Sequence, residues 1–273
     1  TGRATSVDVA IALGGMLLAG RALTSISGGV TSVARASIAW NQVSGFFRGG
    51  AHEKATRQPF LPADAKPRDE QGALIDARDL SFRYTEAGRP VLHSVDLAIH
   101  RGDRILLEGG SGGGKSTLAS LLTGLRQPAS GSLLLNGLDR QTLGDNWHKL
   151  AAEAPQFHEN HILTGTLGFN LLMGRNWPAS SEDLQEAQAL CEELGLGELL
   201  ERMPSGLAQT VGETGWQLSH GERSRIFLAR ALLQNAQLTV LDESFAALDP
   251  DTLGKCLRTA FERAPTLMVI AHP

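Results

Sequence analysis

Residues 109–117 read GGSGGGKST, and this stretch decides the fold. It fits the pattern GxxxxGK[ST] and lies between two predicted elements, a short buried strand at Arg104–Glu108 and a helix that starts at Lys115. Glycine suits such a loop because the backbone N–H groups must curl inward at angles that side chains obstruct. The order of strand, glycine turn and helix predicts a phosphate-binding loop in an α/β fold. A flexible glycine-rich turn is the alternative, since the chain contains 31 glycines.

The sequence pattern of the loop predicts that all of its residues bind a nucleotide and that two of them have further roles. We expect Lys115 to reach the terminal phosphates of a nucleotide, where its charge would also assist catalysis, and the Ser116 hydroxyl to bind Mg²⁺. The residues predicted to bind the nucleotide here are Gly109, Gly110, Ser111, Gly112, Gly113, Gly114, Lys115, Ser116 and Thr117.

A second acidic motif follows an apolar stretch at residues 238–243, which read LTVLDE. The apolar residues predict a central strand, and the carboxylate of Asp242 at its end is placed to hold the magnesium shell. Glu243 is then available to polarise a water toward the γ-phosphorus as a general base. The alternative is that these residues cap a helix or loop.

The rest of the chain from Leu74 onward alternates strand and helix patterns. This alternation predicts an α/β fold with a mainly parallel, covered sheet. Further predicted strands are 74–84 and 91–99, joined through a turn at Ala87-Gly88, and 237–241 and 266–271; further predicted helices include the stretches 187–194, 221–234 and 250–263.

The composition is that of a globular protein, with 42% hydrophobic and 20% charged residues. A net charge of −4 gives no basic face for a nucleic-acid backbone, so we expect no nucleic-acid partner. Cys191 and Cys256 lie far apart in helix-like stretches without metal-ligand spacing, which predicts reduced core thiols, as in cytosolic proteins.

The N-terminal residues 1–50 are weakly apolar and rich in glycine and alanine, with Arg21 interrupting the longest uncharged stretch. Small residues of this kind suit helix packing in membranes, and a helical pattern continues to Phe46. We therefore expect a long N-terminal helix that forms the C-terminal part of a membrane domain, a linker at 51–73 and a separate domain at 74–273. The alternative is an amphipathic helix on a soluble domain. Because the first residue is Thr1 and no signal sequence follows it, we expect the chain to begin inside a longer protein.

Residues 218–222 read LSHGE and run directly into the helix pattern RSRIFLARALL. Together with the glycine loop and the LTVLDE motif, they resemble the ABC ATPase family, whose signature is usually LSGGQ. The resemblance covers residues 74–273. It implies a P-loop NTPase with an antiparallel β subdomain and a helical signature subdomain. It also implies that Ser219 and Gly221, with Glu222 beside them, contact ATP bound on a second cassette, so that two cassettes make two sites.

The resemblance assigns roles to four further features. Tyr84 matches the aromatic residue that stacks on adenine, and Gln156 matches the loop glutamine that senses magnesium and faces the membrane domain. Ser244–Asp249 matches the loop that crosses to the other cassette, and His272 matches the switch histidine at the γ-phosphate. Taken alone, Tyr84 could be an aromatic residue of the core, Gln156 an ordinary polar loop residue and His272 a structural or solvated histidine.

Residues Thr210–Gly215 resemble an exporter loop that touches helices of the membrane domain. The resemblance implies ATP and Mg²⁺ as cofactors and a fused membrane-plus-cassette polypeptide at the cytoplasmic membrane, with the cassette on the cytosolic side. It predicts export of an unidentified substrate by a homodimer or heterodimer of cassettes. A soluble ABC ATPase without transport, and a module that uses ATP only to dimerise, are the alternatives.

The chain departs from the family pattern at several places. His220 replaces a glycine and Glu222 a glutamine, which puts a carboxylate near the expected ATP. The segment from Gln156 to Thr164 is longer than expected, and a metal site at its histidines is an alternative to a variant membrane contact. The family normally continues past the position of Pro273, so we expect a fragment.

Overall fold

The computed structural model describes residues 15, 16, 18, 20, 21, 72–85, 88–156, 160–245 and 247–271. The backbone divides into two units, Thr1–Pro59 and Phe60–Pro273. The described residues of the first unit are helical and exposed. Among the described residues, no helix combines the length and apolarity needed to cross a bilayer. Most of the predicted N-terminal helix and of the linker at 51–73 lies outside the described residues.

The second unit alternates strands and helices, as predicted. Its strands are β1 (Ile75–Phe82), β2 (Leu92–Ile99), β3 (Arg104–Glu108), β4 (Ser130–Leu135), β5 (Ala151–Ala154), β6 (Gly165–Thr166), β7 (Thr210–Val211), β8 (Leu238–Asp242) and β9 (Thr266–Ala271). Its helices are α1 (Lys115–Leu122), α2 (Arg140–Leu143), α3 (Asn146–Leu150), α4 (Leu167–Leu171), α5 (Ser181–Glu193), α6 (Gly197–Arg202), α7 (His220–Leu233) and α8 (Pro250–Arg263). A 3-10 turn spans Gly206–Ala208.

One sheet is antiparallel, with the order β2-β1-β4. Ile75 of β1 pairs with Ile99 on one side and with Leu135 on the other, and all three side chains are buried. A bulge at Asp79, where φ is +50°, shifts the inward-facing positions of β1 from odd to even numbers. Gly131 on β4 is required opposite this bulge, because a Cβ there would lie 2.3 Å from the Asp79 carbonyl oxygen.

The other main sheet is wholly parallel, with the order β3-β9-β8-β5. Parallel strands run in one direction, so β3 and β8 end at the same edge of this sheet and bring the residues that follow them together. β8 is buried along its whole length. The prediction that β3 is a buried strand is wrong on one face: its side chains alternate in exposure and Leu106 is 60% exposed. Among the described residues, α8 lines a cavity beside Leu106 but does not fill it.

A helical lobe packs around a separate core. The predicted face of α5 is confirmed, because Ala187, Leu190 and Cys191 are buried together with Leu194 just beyond the helix. Cys191 and Cys256 are both free and buried in this lobe. Burial raises the pKa of the Cys191 thiol to about 12 and that of the Cys256 thiol to about 11, so both stay protonated at neutral pH.

Candidate nucleotide-binding site

The glycine loop joins β3 to α1 and leaves the first turn of that helix open. Gly114 is the N-cap of α1, with φ at +83°, and none of the described side chains hydrogen-bonds to this cap. The loop is tightened by a bond from the Gly113 N–H to the Gly110 carbonyl at 3.2 Å. Helix N–H groups that lack an internal partner attract anions, and the dipole of the helix adds to the attraction. The loop therefore has the form of a phosphate cradle.

Lys115 is buried and its ammonium lies inside this loop. Its Nζ donates to the Gly109 carbonyl at 2.8 Å and to the Gly110 carbonyl at 3.1 Å. These two carbonyls hold the charge at the mouth of the loop, where phosphate oxygens would be stronger acceptors. The predicted position of Lys115 beside the terminal phosphates fits this geometry.

Three oxygen-bearing side chains suited to magnesium lie at the same sheet edge. Gln156, two residues past β5, brings its amide nitrogen to 3.3 Å from the Ser116 hydroxyl. Asp242 ends β8 and is 1% exposed. Hydroxyl, amide and carboxylate oxygens are the ligands that Mg²⁺ prefers, so these residues fit the metal and would hold it. When bound, Mg²⁺ supplies neutralising charge for the phosphates.

Glu243 follows Asp242 in an uncommon backbone conformation. Its φ is +47°, a region that residues other than glycine seldom adopt, and its N–H donates to the Ile270 carbonyl at 3.1 Å. Such conformations persist where the surrounding structure holds them and cluster at functional sites. The backbone at Glu243 therefore supports a functional role for this residue.

Tyr84 lies beside the glycine loop rather than in the core. Its hydroxyl and the Thr117 hydroxyl are 2.9 Å apart, and its ring packs edge-on against Phe82. The Arg126 guanidinium sits 4.8 Å from the ring centroid. The Tyr84 side chain remains 57% exposed, so the ring has surface to offer to a planar base. The contact of Arg126 with Tyr84 could not be predicted from the sequence, because the two residues are 42 positions apart and follow no local pattern.

Ser219 caps the start of α7 in a reciprocal arrangement with Glu222. The Ser219 hydroxyl accepts the Glu222 N–H at 3.2 Å, and the Glu222 carboxylate accepts the Ser219 N–H at 2.7 Å. A Cβ built on Gly221 would lie 3.7 Å from the Ala247 carbonyl oxygen, so the loop at Ser244–Asp249 packs beside this helix start. The contacts predicted between Ser219, Gly221 or Glu222 and a partner's ATP stay predictions.

The Glu222 carboxylate also receives a hydrogen bond from the Arg202 guanidinium. Burial acts to raise the pKa of Glu222, but the hydrogen bonds with Ser219 and Arg202 and the charge of Arg202 outweigh it and lower the pKa. The carboxylate is therefore ionised at neutral pH. The charge of Glu222 was predicted from the sequence, but its pairing with Arg202, 20 residues away on α6, was not.

Arg230 of α7 holds the loop that follows Gln156. It donates to Asn160 Oδ1 at 2.9 Å, to the His161 carbonyl at 3.2 Å and to the Asn170 carbonyl at 2.8 Å. Burial lowers the pKa of Arg230 to about 10, which leaves it charged at neutral pH. The loop between Asn160 and Leu163 is thus fixed to the signature helix.

The exporter-like loop lies against this same segment. β7 at the start of Thr210–Gly215 pairs with β6, and a Cβ on Gly212 would lie 2.8 Å from the Thr164 backbone. A groove of about 390 Å³ separates residues 160–162 from residues 212–218. Within the described ranges no three His, Cys, Asp or Glu side chains are grouped to hold a metal, although His158 lies outside those ranges.

His272 lies outside the described residues. It directly follows the end of β9, which pairs with both β3 and β8. Ser244, at the start of the predicted crossing loop, is buried and donates to the Ala154 carbonyl at 3.1 Å. The assignments of His272 and of Ser244–Asp249 stay predictions.

The parallel sheet, the glycine loop after β3 and the acidic end of β8 together define a P-loop nucleotide-binding domain. A family model described as ABC transporter matches residues 92–246, which is more than half of the chain. The chain therefore belongs to the ABC transporter family, whose cassette binds and hydrolyses ATP. The resemblance stated from the sequence is confirmed.

Individual relatives agree with this assignment. The mycobactin import ATP-binding/permease protein IrtB of Mycolicibacterium thermoresistibile is 38% identical over 218 residues, which cover 78% of this chain and 36% of IrtB. The ATP-dependent lipid A-core flippase of Vibrio vulnificus strain YJ016 is 32% identical over 244 residues, covering 85% of this chain and 40% of the flippase. The chain spans little more than a third of these relatives.

A solved structure shows the same architecture. The structure of a bacterial Atm1-family ABC exporter with ATP bound matches with a TM-score of 0.65 and 30% sequence identity. The match covers 74% of this chain and 36% of that exporter chain. The predicted fold class, a P-loop NTPase with parallel and antiparallel sheets and a helical subdomain, is confirmed.

Proposed function

We propose that residues 74–273 of this chain form the cassette of an ABC exporter, which hydrolyses MgATP at a head-to-tail interface between two cassettes. The observation that carries the proposal is the 3.3 Å approach of Gln156 to the Ser116 hydroxyl, at the sheet edge where Asp242 ends β8. Gln156 lies four residues before Asn160, which lines the groove. A nucleotide bound at the loop would in this proposal shift the conformation of the groove.

The proposed chemistry follows from the residues at that edge. The loop amides and Lys115 bind the phosphates, Ser116, Gln156 and Asp242 hold the magnesium shell, and Glu243 orients the attacking water. The Ser219 end of α7 is exposed and would complete the site on a second cassette, a copy of this chain or a homologue.

Coupling to transport is assigned to the groove between residues 160–162 and 212–218. Its position between the loop after Gln156 and the exporter-like loop supports the docking of helices from a membrane domain of the same polypeptide. In this proposal residues 1–50 belong to that domain, 51–73 link it to the cassette at 74–273, and the cassette faces the cytosol. The relatives are named as a mycobactin import protein and a lipid A-core flippase, so the proposal concerns ATP-driven transport and names no substrate.

The test is Glu243→Gln, with Glu262→Gln on the exposed face of α8 as the control. We expect turnover of MgATP to fall about a thousandfold while affinity for MgATP stays within about twofold, because the base is lost and the cradle is kept. Steady-state phosphate release and equilibrium binding of a fluorescent ATP analogue measure the two effects. Unchanged turnover in Glu243→Gln would remove Glu243 from the role of base.

A single-turnover measurement on the unsubstituted chain separates hydrolysis from ATP-driven dimerisation alone. Release of phosphate supports the proposal. Tight MgATP binding with no phosphate release would favour the dimerisation module instead.

A further inference from the structure

The signature helix carries an extra negative charge in its first turn. Glu222 stands where the family's usual signature has glutamine, and it is the third residue of α7. Glutamine and glutamate complete the same capping box with a serine, so the geometry of the cap does not require a charge. The charge nevertheless has an electrostatic effect, because the same helix end is expected to face the phosphates of ATP on a partner.

A carboxylate in this position competes with a phosphate. The positive end of the helix dipole stabilises negative charge close to it, and Glu222 already occupies that place. Its side chain is only 11% exposed, so water screens it weakly. An uncompensated carboxylate beside Ser219 would repel the γ-phosphate of a partner's ATP.

Arg202 compensates this charge. It is the last residue of α6, and its guanidinium donates to the Glu222 carboxylate oxygen that does not accept the Ser219 N–H. Both carboxylate oxygens are thereby used, and the side chain of Glu222 is held in one orientation. The Arg202 side chain is 58% exposed, so it reaches the pair from the solvent side without a large desolvation cost.

We propose that Arg202 is a positioning residue of the ATP site on the partner cassette: by neutralising Glu222, it allows Ser219 to receive a phosphate. The inference rests on the proposed function, because it needs a second cassette to bring its ATP to Ser219. Arg202 acts through Glu222 and touches no nucleotide itself.

The experiment is a double-mutant cycle in the full chain, in which Arg202→Ala is compared in the Glu222 and the Glu222→Gln backgrounds. We expect Arg202→Ala to lower turnover at saturating MgATP about fivefold when Glu222 is present and by less than about twofold when Gln is present. Arg202→Lys, which keeps the charge, should retain most of the turnover.

Two further measurements separate positioning from a structural effect. The affinity of each variant's own phosphate loop for a fluorescent ATP analogue should not change, because in the proposed dimer that loop and Ser219 of the same chain belong to two different ATP sites. Arg263→Ala is the matched control, since Arg263 forms an exposed ion pair with Glu193 in the same lobe and should leave turnover unchanged. The urea dependence of unfolding for all variants shows whether any of them is merely destabilised.

The outcomes are distinct. Equal loss of turnover in the two backgrounds, or no loss in either, would overturn the inference while leaving the proposed function in place. Absence of MgATP turnover in the unsubstituted chain would overturn the proposed function and this inference together.

Discussion

Two helices of this cassette begin where a phosphate is expected, and their first turns are satisfied in opposite ways. Helix α1 starts at Gly114, and among the described residues no side chain caps it. Helix α7 starts at Ser219, where the hydroxyl of Ser219 and the carboxylate of Glu222 bond reciprocally to the backbone. In the described part of the chain the first start has no side-chain cap, whereas at the second start side chains already bond two backbone N–H groups, those of Ser219 and Glu222.

The difference indicates two kinds of phosphate contact. At α1 we expect the amides and Lys115 to be the main source of affinity, because the ligand would bond N–H groups that none of the described side chains caps. At α7 the Glu222 N–H is already bonded, and what remains for a phosphate is the hydroxyl hydrogen of Ser219 and the amides at the very start of the helix. We expect substitutions at α1 to change binding and substitutions at α7 to change the later, dimer-dependent step.

The largest expected effect tests the open helix start. Lys115→Ala removes the buried ammonium from the loop and should weaken MgATP binding at least about a hundredfold, because a charged donor to the phosphates is lost. Equilibrium binding of a fluorescent ATP analogue measures this loss. Lys149→Ala, on the exposed side of α3, is the control and should bind normally. Normal binding by Lys115→Ala would contradict the assignment of the loop.

The next effect tests the self-capped start. Ser219→Ala should lower turnover about tenfold, because a hydrogen bond to a charged phosphate is lost, and should leave ATP affinity at the chain's own loop unchanged. It should also lower the free energy of unfolding by about 1 kcal/mol through loss of the cap.

Ser180→Ala is the matched control for Ser219→Ala, since Ser180 and Asp183 form the same capping box on α5. It should show the same stability loss in urea unfolding with normal turnover. If both variants lost turnover alike, the effect of Ser219 would be one of helix stability.

The smallest expected effect concerns the backbone of the open start. Gly114→Ala should weaken ATP affinity about fivefold and cost about 1 kcal/mol of stability, because alanine is strained at φ +83° and its Cβ would lie 2.9 Å from Leu92 Cδ2. Gly137, at φ +75° with nothing within 4 Å of an added Cβ, separates strain from crowding. Gly137→Ala should lose stability without losing affinity for ATP, measured by the same urea unfolding and binding assays. Equal affinities for both variants would show that the loop tolerates the added methyl group.

The sequence predicted elements best where local signals mark both ends. The predicted helix at 250–263 and strand at 266–271 have the bounds of α8 and β9, because Asp249 and Pro250 start the helix and Ala264-Pro265 separates it from the strand. β4 was not predicted: its first residues are Ser130, Gly131 and Ser132, and it becomes a strand by pairing with β1, about 50 to 60 residues upstream.

The residues of the candidate site likewise fall into two groups, those that local motifs predicted and those that were not predicted. The loop at 109–117, Gln156 and Asp242 were predicted because short motifs name them, and the structure places them at one sheet edge. Two arginines that contact site residues were not predicted. Arg126 lies over the Tyr84 ring and Arg202 pairs with Glu222, and both contacts join segments that are distant in the sequence. The exposure of Leu106 was not predicted either, because an apolar strand has the same sequence pattern whether other elements cover one face of the sheet or both.

Arg230 links helix α7 to the loop at Asn160–Leu163 through hydrogen bonds to Asn160 and His161, so we expect the helix and the loop to move together. Pulling the two apart would break the hydrogen bonds of the Arg230 guanidinium to Asn160 and His161 and leave it, among the described residues, only those to Asn170, which costs more than a small shift of both together. In the proposed cycle, we therefore expect a rotation of α7 to carry residues 160–162, at the wall of the groove, along with the helix.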